Sequence, residues 1–506
     1  MSDGHGNAQA PQLRARTTKG RWVLAATVLG SAMVMLDGTV VNVALPTIGR
    51  HLHASLGGLQ WTVTAYTLTL AGLILLGGSL GDRLGRRKVF LIGVVWFALA
   101  SALCGLAPDI GVLIGARVLQ GVGGALLTPG SLAIIQATFA AEDRPRAVGA
   151  WSGLGGVASA IGPILGGWLV QTAGWRWVFL LNLPLAAVVV AVTVRHVPET
   201  RDMAARGGFD VAGAALAALA LAGLTYGLIE GQEPSQMVAV VVAALVGVAA
   251  AAGFILIERR RTRSPEKIPA MLPLDVFASR QFTAINIVTF LVYGAFSGLL
   301  FLLVLQLQVV SGFSPLKAGS ALLPVTVLML VLSARSGSLA QRFGPRWLMT
   351  AGITGTAIGM FLMGRIGPGA SYLTDVFPAA VVFGLGLAMT VAPLTATVLA
   401  SADVRHAGVA SGVNNAVARA AGLVAVAALP TAVGLGAASY HQPARFNHGF
   451  DLATTICAVV LLIAAVLSAT LISNNVLRPE GAPAPEPEAP VNCSVGAPPL
   501  LPASPH

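Results

Sequence analysis

One carboxylate lies inside a stretch of sequence that is otherwise apolar enough to cross a lipid bilayer. Asp37 falls within the run from Trp22 to Pro46, in which no other residue is charged. A charged side chain in a spanning helix costs at least about 3 kcal/mol, so it persists mainly where it lines a cavity, carries a proton or meets an ion. If the helix enters near Trp22, Asp37 lies about 22 Å along a path of about 30 Å. Asp37 is therefore a candidate transport residue; the alternative is a structural polar contact within a helix bundle.

Arg117 lies at a comparable depth in another apolar segment. Counted inward from Asp109, it is about 12 Å from the outer boundary, and Asp37 is about 8 Å from the same boundary. A neighbouring guanidinium favours an ionised carboxylate, whereas burial favours the neutral acid. A modest rearrangement can therefore switch Asp37 between holding and releasing a proton. In this hypothesis a cationic drug and a proton compete for Asp37 while Arg117 tunes the competition; alternatively, Arg117 is a structural partner of backbone carbonyl groups.

The composition places both residues in a polytopic membrane protein. Of 506 residues, 55% are hydrophobic and 10% are charged, and the mean hydropathy is +0.79. A soluble domain is far less apolar. The net charge of +11 would suggest nucleic-acid binding in a soluble protein, but in a membrane protein its distribution among the loops sets orientation. Cys104 and Cys457 fall within apolar runs and Cys493 in a polar tail, so we predict no disulfide framework and no metal site.

Fourteen apolar segments are long enough to be spanning helices. The first is too long for a signal-peptide core, so we expect it to remain in the mature protein. Lysine and arginine concentrate in alternate loops, including Arg83–Lys88 and Arg259–Arg263, which places both termini in the cytoplasm. The predicted spans are residues 22–46, 59–80, 89–107, 110–138, 147–170, 176–194, 211–229, 237–257, 283–308, 317–340, 347–365, 373–399, 409–433 and 452–473.

A loop motif between the second and third predicted spans recurs later in the chain. The motif GSLGDRLGR begins at Gly78, and a related pattern, GSLAQRFGPR, begins at Gly337 with Gln341 in place of the acid. Glycines permit a tight reversal, and Asp82 can pair with arginines or helix ends when cytoplasmic halves close together. The alternative is a basic loop that only sets topology. The residues assigned to conformational switching are Gly78, Gly81, Asp82, Arg83, Gly85 and Arg86.

The repeat predicts two homologous halves with two extra helices between them and a cavity at their interface. The chain is then an all-α polytopic membrane protein with 14 transmembrane helices in a 6+2+6 arrangement. The last segment is rich in proline and alanine and cannot build a core, so it should be disordered. The predicted regions are an N-terminal cytoplasmic segment (1–21), a six-helix bundle (22–194), two central helices (211–257), a basic cytoplasmic loop (258–282), a second six-helix bundle (283–473) and the cytoplasmic tail (474–506).

Candidate cavity residues are aromatic or amide side chains in the spans, because such groups suit large amphipathic cations. Each of them can instead be a packing residue. Span five is dense in small residues, which let helices approach closely and slide, and Pro163 removes one backbone hydrogen bond. Plain helix packing is the alternative explanation of that pattern. The cavity candidates are Asn42, Tyr66, Gln120, Tyr293 and Phe296.

The energy source and the class of protein follow by exclusion. No lysine is preceded by glycine, so the chain lacks the phosphate loop of a nucleotide-driven pump. One charge moved across about 100 mV gains about 2.3 kcal/mol, so proton exchange can drive transport. An integral-membrane enzyme would need histidine or carboxylate clusters, whereas the close pair His51 and His53 lies in a short outer loop. We therefore predict a carrier that is not an enzyme and uses no cofactor, metal, nucleotide or nucleic acid.

Nearly the whole chain resembles the major facilitator superfamily, specifically its fourteen-span drug:proton antiporter family, the QacA/EmrB-like group. Besides the loop motif, the likeness rests on Leu36–Pro46, Arg117–Gly121, Gly162–Gly167 and Trp175–Pro184. It implies a major facilitator fold and export of hydrophobic, often cationic drugs or antibiotics in exchange for protons, by alternating access. The exported drug can also be an antibiotic that the organism itself produces, in which case export provides self-resistance. We expect a monomer in the bacterial cytoplasmic membrane, surrounded by lipid.

The same resemblance assigns roles to individual residues. It implicates Asp37 in coupling to protons or cationic substrate and Arg117 in proton transfer. The span-five motif with Gly162, Pro163 and Gly166–Gly167 marks antiporters and is expected to act as a hinge. The rival interpretation within the same fold is a proton-coupled carrier of another small molecule, such as an amino acid, a siderophore or a lipid.

Overall fold

The protein is built from long helices joined by short connections. The computed structural model describes residues 13–14, 16–140, 142–201, 210–231, 234–263, 272, 274–401, 407–436, 439 and 442–477. In these ranges no β-strand forms; a single isolated bridge joins Leu13 and Phe139. The tail beyond residue 477 and much of the basic loop predicted at 258–282 lie outside the described residues. The α-helices are α1 (Thr18–His51), α2 (Leu56–Leu84), α3 (Arg86–Leu106), α4 (Ile110–Thr138), α5 (Arg144–Thr172), α6 (Trp177–Leu180), α7 (Asn182–His196), α8 (Val211–Glu230), α9 (Met237–Arg263), α10 (Arg280–Leu305), α11 (Pro315–Ser320), α12 (Leu323–Phe343), α13 (Pro345–Met363), α14 (Phe377–Ala400), α15 (Ala407–Ala432) and α16 (Pro443–Leu471).

The helices agree with the predicted class of a polytopic membrane protein. Among the described residues, 12 helices are long and apolar enough to cross a membrane, or 13 if the two parts of α2, bent by 49°, form one span. The helix α13 occupies the remaining predicted span, but Arg346 in its first turn and its many glycines and threonines make it less apolar. The all-helical polytopic fold is confirmed, and the predicted count of fourteen is not reached by these helices.

Two capped helices carry the candidate transport residues. The Thr17 side chain accepts a hydrogen bond from the Gly20 N–H at 3.1 Å and begins α1, which holds Asp37 in its middle. Asp109 Oδ1 accepts from the Val112 N–H at 2.9 Å and begins α4. Such caps satisfy backbone donors that have no partner within the helix. Because α4 begins directly after Asp109, the starting point used in the sequence analysis to place Arg117 by depth agrees with the structure.

Close packing of α4 against its neighbours brings its polar side chains toward α1. A Cβ atom on Gly121 would lie 2.7 Å from the Tyr66 carbonyl oxygen on α2, and one on Gly123 would lie 2.6 Å from the Phe97 nitrogen on α3. Only glycine permits such close backbone approach. The buried Phe90 and Phe97 fill the apolar core beside these contacts. The tight three-helix arrangement therefore fixes the position of the polar residues on α4.

The helices α1–α7 and α10–α16 are joined at the end of the molecule remote from the Arg83–Lys88 loop. Gln60 Nε2, near the start of α2, donates to the Val426 carbonyl oxygen on α15 at 2.7 Å. Gln308 Nε2 donates to the Val43 carbonyl oxygen on α1 at 2.9 Å. These amide contacts cross between the two helix groups and close that end.

The opposite end of α5 is open. A Cβ atom on Gly149, Gly153 or Gly156 would meet no described atom within 4 Å. Toward the other end of the same helix, a Cβ on Gly167 would lie 2.5 Å from the Pro315 carbonyl oxygen on α11. The structure therefore represents a conformation closed at one end and open at the other.

The central helices α8 and α9 pack directly against each other. A Cβ on Gly223 would lie 2.8 Å from the Gly247 Cα atom. At the side of the Arg83–Lys88 loop, Arg261 pairs with Asp210, which precedes α8. Burial raises the pKa of Asp210, but the adjacent Arg261 and Glu258 side chains and the Gly213 N–H together outweigh burial and hold that pKa below its usual value. The ion pair ties the two central helices together.

Candidate functional site

Asp37 and Arg117 form an ion pair inside the first helix group. Arg117 Nη1 lies 2.5 Å from Asp37 Oδ2, and the two residues are 1% and 2% exposed. The other carboxylate oxygen, Asp37 Oδ1, accepts from Gln120 Nε2 at 2.8 Å and from Asn182 Nδ2 at 3.3 Å. A buried ion pair persists only when attraction and additional hydrogen bonds offset the cost of removing both charges from water. Both conditions are met here.

The guanidinium of Arg117 has further partners on α2 and α4. Its Nε donates to the Thr62 carbonyl oxygen at 3.0 Å, and its Nη1 donates to Gln120 Oε1 at 2.6 Å. The Tyr66 ring lies with its centroid 4.2 Å from Arg117 Cζ, in the range of a cation–π contact. The structure thus combines the two alternatives considered for this arginine, because it binds both the carboxylate and a backbone carbonyl group.

Two residues of this site were not found by sequence reasoning. Ser101 Oγ on α3 accepts from Gln120 Nε2 at 2.7 Å and from Asn182 Nδ2 at 3.2 Å, and both Ser101 and Asn182 are buried. Asn182 lies in the stretch Trp175–Pro184, where an amide in an apolar segment was an available signal. Nothing in the sequence distinguishes Ser101 from other serines of spanning helices. We call Asp37, Ser101, Arg117, Gln120 and Asn182 the carboxylate cluster.

A cavity of about 360 Å³ lies between α1 and α2 on one side and α10 and α15 on the other. Of the predicted cavity residues, Asn42, Tyr293 and Phe296 line it. Tyr66 and Gln120 do not: both are buried beside Arg117. The lining residues are Gly38, Thr39, Asn42, Val63, Thr64, Thr67, Tyr293, Phe296, Ser297, Leu300, Phe301, Asn415, Ala418, Arg419, Gly422, Leu423 and Val426.

The carboxylate cluster and the cavity are adjacent but separate. Gly38 and Thr39 line the cavity, whereas Asp37 does not. Successive residues of a helix point about 100° apart, so Asp37 faces α4 while its neighbours face the cavity. The hydroxyl group of Tyr66 is buried, and the described residues offer it no hydrogen-bond partner. A cargo molecule in the cavity reaches the carboxylate only after a rearrangement of these side chains.

The predicted switching loop contains the expected reversal and ion pair. Gly85 joins α2 to α3 with φ of +116°, a conformation that favours glycine. Arg86 Nη2 lies 2.8 Å from Asp82 Oδ1. Gly78 packs beside Pro129 of α4. The neighbouring Gly81 and Arg83 belong to the last turn of α2. This geometry positions the motif, and its role in switching stays a prediction.

Both copies of the loop are capped by a residue that follows the last helix of their own half. Glu199, after α7, accepts hydrogen bonds from the N–H groups of Arg87 at 3.1 Å and Lys88 at 3.2 Å. Asn474, after α16, accepts from the Arg346 N–H at 3.1 Å, next to Gly344 with φ of +87°. The sequence repeat therefore extends to a structural repeat, although neither capping residue was predicted.

Replacement of Glu199 by alanine is expected to destabilise the first of these caps. Loss of a side-chain cap costs about 1 kcal/mol, and loss of the negative charge also removes its favourable interaction with the positive end of the α3 dipole. Thermal unfolding of the purified protein should show a lower midpoint for Glu199→Ala. The matched variant Asn474→Ala removes an uncharged cap with a single hydrogen bond, so its midpoint should fall less. Equal or absent changes in the two variants would contradict this account of Glu199.

The predicted hinge residues of α5 lie where this helix meets α1 and α11. A Cβ on Gly166 would lie 2.8 Å from Val40 Cγ1, and a Cβ on Gly162 would overlap the Thr39 side chain. The Pro163 carbonyl oxygen faces Gly319, and Gly167 faces Pro315, as described above. The helix is continuous through Pro163. Close packing accounts for the small residues, and hinge motion remains a prediction.

The chain is similar to known proteins both in sequence family and in fold. The family model described as Major Facilitator Superfamily matches residues 27–426. The chain is 36% identical over 416 residues to the tetracenomycin C resistance and export protein of Streptomyces glaucescens, covering 80% of this chain and 74% of that protein. It is 34% identical over 468 residues to the puromycin resistance protein Pur8 of Streptomyces alboniger, covering 90% and 92%. It is also 35% identical over 403 residues to the multidrug resistance protein Stp of Mycobacterium tuberculosis, covering 78% and 72%.

Solved structures share the fold at low sequence identity. A bacterial homologue of the human lysosomal transporter Spinster, in an inward-facing and occupied conformation, matches with a TM-score of 0.62 and 17% identity, covering 88% of this chain and 96% of that chain. The transporter PepTSo of the POT family matches with a TM-score of 0.64 and 15% identity, covering 88% and 97%. The helices of this chain are therefore arranged as in known transporters.

Proposed function

Because the chain belongs to the Major Facilitator Superfamily, we propose that this multi-pass membrane protein is a proton-coupled antiporter that exports hydrophobic drugs or antibiotics by alternating access. The single observation that carries the coupling is the buried ion pair of Asp37 and Arg117 beside the cavity. The names of relatives, which include resistance, export and multidrug resistance, support the outward direction. Protons and a small-molecule drug are the two transported species.

The helix α1 is the element that couples proton to cargo. Its residue Asp37 belongs to the carboxylate cluster, and the adjacent Gly38 and Thr39 line the cavity. The next turn contacts α5, where Gly166 packs against Val40. A proton on Asp37 removes one charge of the ion pair and leaves Arg117 without its anionic partner. A rotation or shift of α1 that relieves this cost changes both the cavity wall and the contact that closes one end.

The orientation and the number of spans complete the proposal. The positive-inside rule places the Arg83–Lys88 loop and both termini in the cytoplasm, so the described conformation is open to the cytoplasm. Fourteen spans result when α2 is one bent span and α13 also crosses the membrane. The 6+2+6 division then follows, with bundles at 22–194 and 283–473 around the central helices at 211–257. The transporter works as a monomer, without cofactor, nucleotide or catalytic activity.

Inverted membrane vesicles containing the full chain test this function. The first probes are puromycin and tetracenomycin C, the drugs that appear in the names of two relatives. An acidic vesicle interior should drive drug uptake above that of vesicles lacking the protein, and a protonophore should abolish the difference. Gradient-independent uptake by the protein would reject proton coupling. If the protein moved the drug only from the extracellular face to the cytoplasmic face, down the drug gradient, export would be rejected in favour of import.

A further inference from the structure

One cation lies on the cavity wall without an acidic partner. Arg419 on α15 lines the cavity and is partly exposed. Its guanidinium forms no ion pair or hydrogen bond with the residues that the structure describes. The residues Asn415, Ala418 and Gly422 share its side of the helix, as the helical spacing requires. The regular geometry of α15 therefore directs Arg419 toward the cavity, without a local distortion of the helix.

The position of Arg419 excludes a simple contact with lipid head groups. It lies near the middle of the 26-residue helix Ala407–Ala432, about 18 Å from either end. By contrast, Arg335 on α12 is exposed and does not line the cavity. A charge at this depth persists mainly where it meets an ion or a water-filled pathway. The cavity is the environment in which Arg419 can meet such an ion.

The rest of the cavity wall is uncharged and includes three aromatic side chains, Tyr293, Phe296 and Phe301. No carboxylate is present among the described lining residues, and the nearby Asp37 is buried and paired with Arg117. Beside α15, on the same side of the cavity, α10 contributes the aromatic residues Tyr293 and Phe296. Low-dielectric walls with one sign of charge concentrate the field in a cavity, which attracts anions and repels cations. A guanidinium also offers a planar set of donors that matches a carboxylate.

We propose that Arg419 binds the cargo and that the cavity selects aromatic molecules carrying an acidic group, such as a carboxylate or an ionised phenol. The proposal rests on the export function proposed above and narrows its cargo class. It differs from the expectation of cationic cargo, which placed the charge of the drug on Asp37. In this structure Asp37 is sealed beside Arg117, so the charge that cargo meets first is that of Arg419.

Two xanthene dyes of opposite charge test the inference with the purified full chain. Fluorescein carries a carboxylate and an ionised phenol, and rhodamine 123 is a cationic ester of similar shape. The wild type should bind fluorescein more tightly than rhodamine 123. Arg419→Gln should weaken fluorescein binding about 10- to 100-fold and leave rhodamine 123 binding unchanged or stronger. Arg419→Lys should retain most of the affinity, and the matched control Arg335→Gln should change neither dye.

Three results would overturn the proposal: tighter binding of rhodamine 123 by the wild type, equal weakening of both dyes by Arg419→Gln, or no fluorescein binding at millimolar concentration. Uptake of both dyes into inverted vesicles under a pH gradient distinguishes failure of the acidic-cargo proposal from failure of the export function. Gradient-driven rhodamine 123 uptake without Arg419-dependent fluorescein binding retains export and rejects the acidic cargo. Arg419-dependent fluorescein binding with no gradient-driven uptake of either dye retains the binding site and rejects antiport.

Discussion

Asparagine in place of Asp37 is expected to abolish export driven by a pH gradient, lowering its initial rate about 100-fold or more. Asparagine keeps an oxygen that can accept from Gln120 and Asn182, but it cannot hold a proton. It also leaves the buried Arg117 without an anionic partner, and breaking a buried ion pair costs about 3–5 kcal/mol. The measurement is the initial rate of drug uptake into inverted vesicles over a range of imposed pH differences.

Loss of coupling must be distinguished from loss of folding. The double variant Asp37→Asn with Arg117→Gln removes both charges, so its thermal stability should recover toward that of the wild type. Its gradient-driven transport should nevertheless remain absent. Drug binding by the purified variants gives an independent measure of an intact cavity, because Asp37 does not line it. Unchanged rate and pH dependence in Asp37→Asn would remove Asp37 from the mechanism.

Leucine in place of Gly167 is expected to force open the end of the molecule that is closed in this structure. A Cβ at this position would lie 2.5 Å from the Pro315 carbonyl oxygen, so α5 and α11 cannot keep their present separation. Overpacking of this kind costs about 1–3 kcal/mol, which shifts a two-state equilibrium by roughly 5- to 150-fold. Transport should fall accordingly, because the inward-open state is disfavoured in each cycle.

Thiol labelling measures the shift directly. A cysteine introduced at the cavity residue Asn42, with the native cysteines replaced by serine, should react faster with a membrane-impermeant maleimide from the outer side in Gly167→Leu. The matched variant Gly153→Leu makes the same change on the same helix where a Cβ meets nothing within 4 Å. It should not increase labelling from the outer side. Equal labelling of the two variants would show that the contact between α5 and α11 does not control access.

Much of the architecture and part of the site could be predicted from the sequence. Composition and apolar segment length determine that the chain dissolves in lipid as a set of helices, because backbone polar groups in a bilayer must be satisfied within each segment. The constant rise of a helix allowed the depths of Asp37 and Arg117 to be compared, and the structure pairs these two residues. Glycine at positions 85 and 344 indicated the reversals, because both have positive φ.

Only the tertiary structure decided which face of each helix meets which neighbour. Tyr66 and Gln120 were predicted in the cavity but lie beside Arg117, whereas Arg419 lines the cavity. Ser101 joins the carboxylate cluster without any sequence signal. In a soluble helix the polar stripe marks the exposed face, but a helix in lipid is apolar on nearly all sides. Its rotation is therefore set by side-chain packing against adjacent helices, such as Gly121 against α2, which local sequence does not encode.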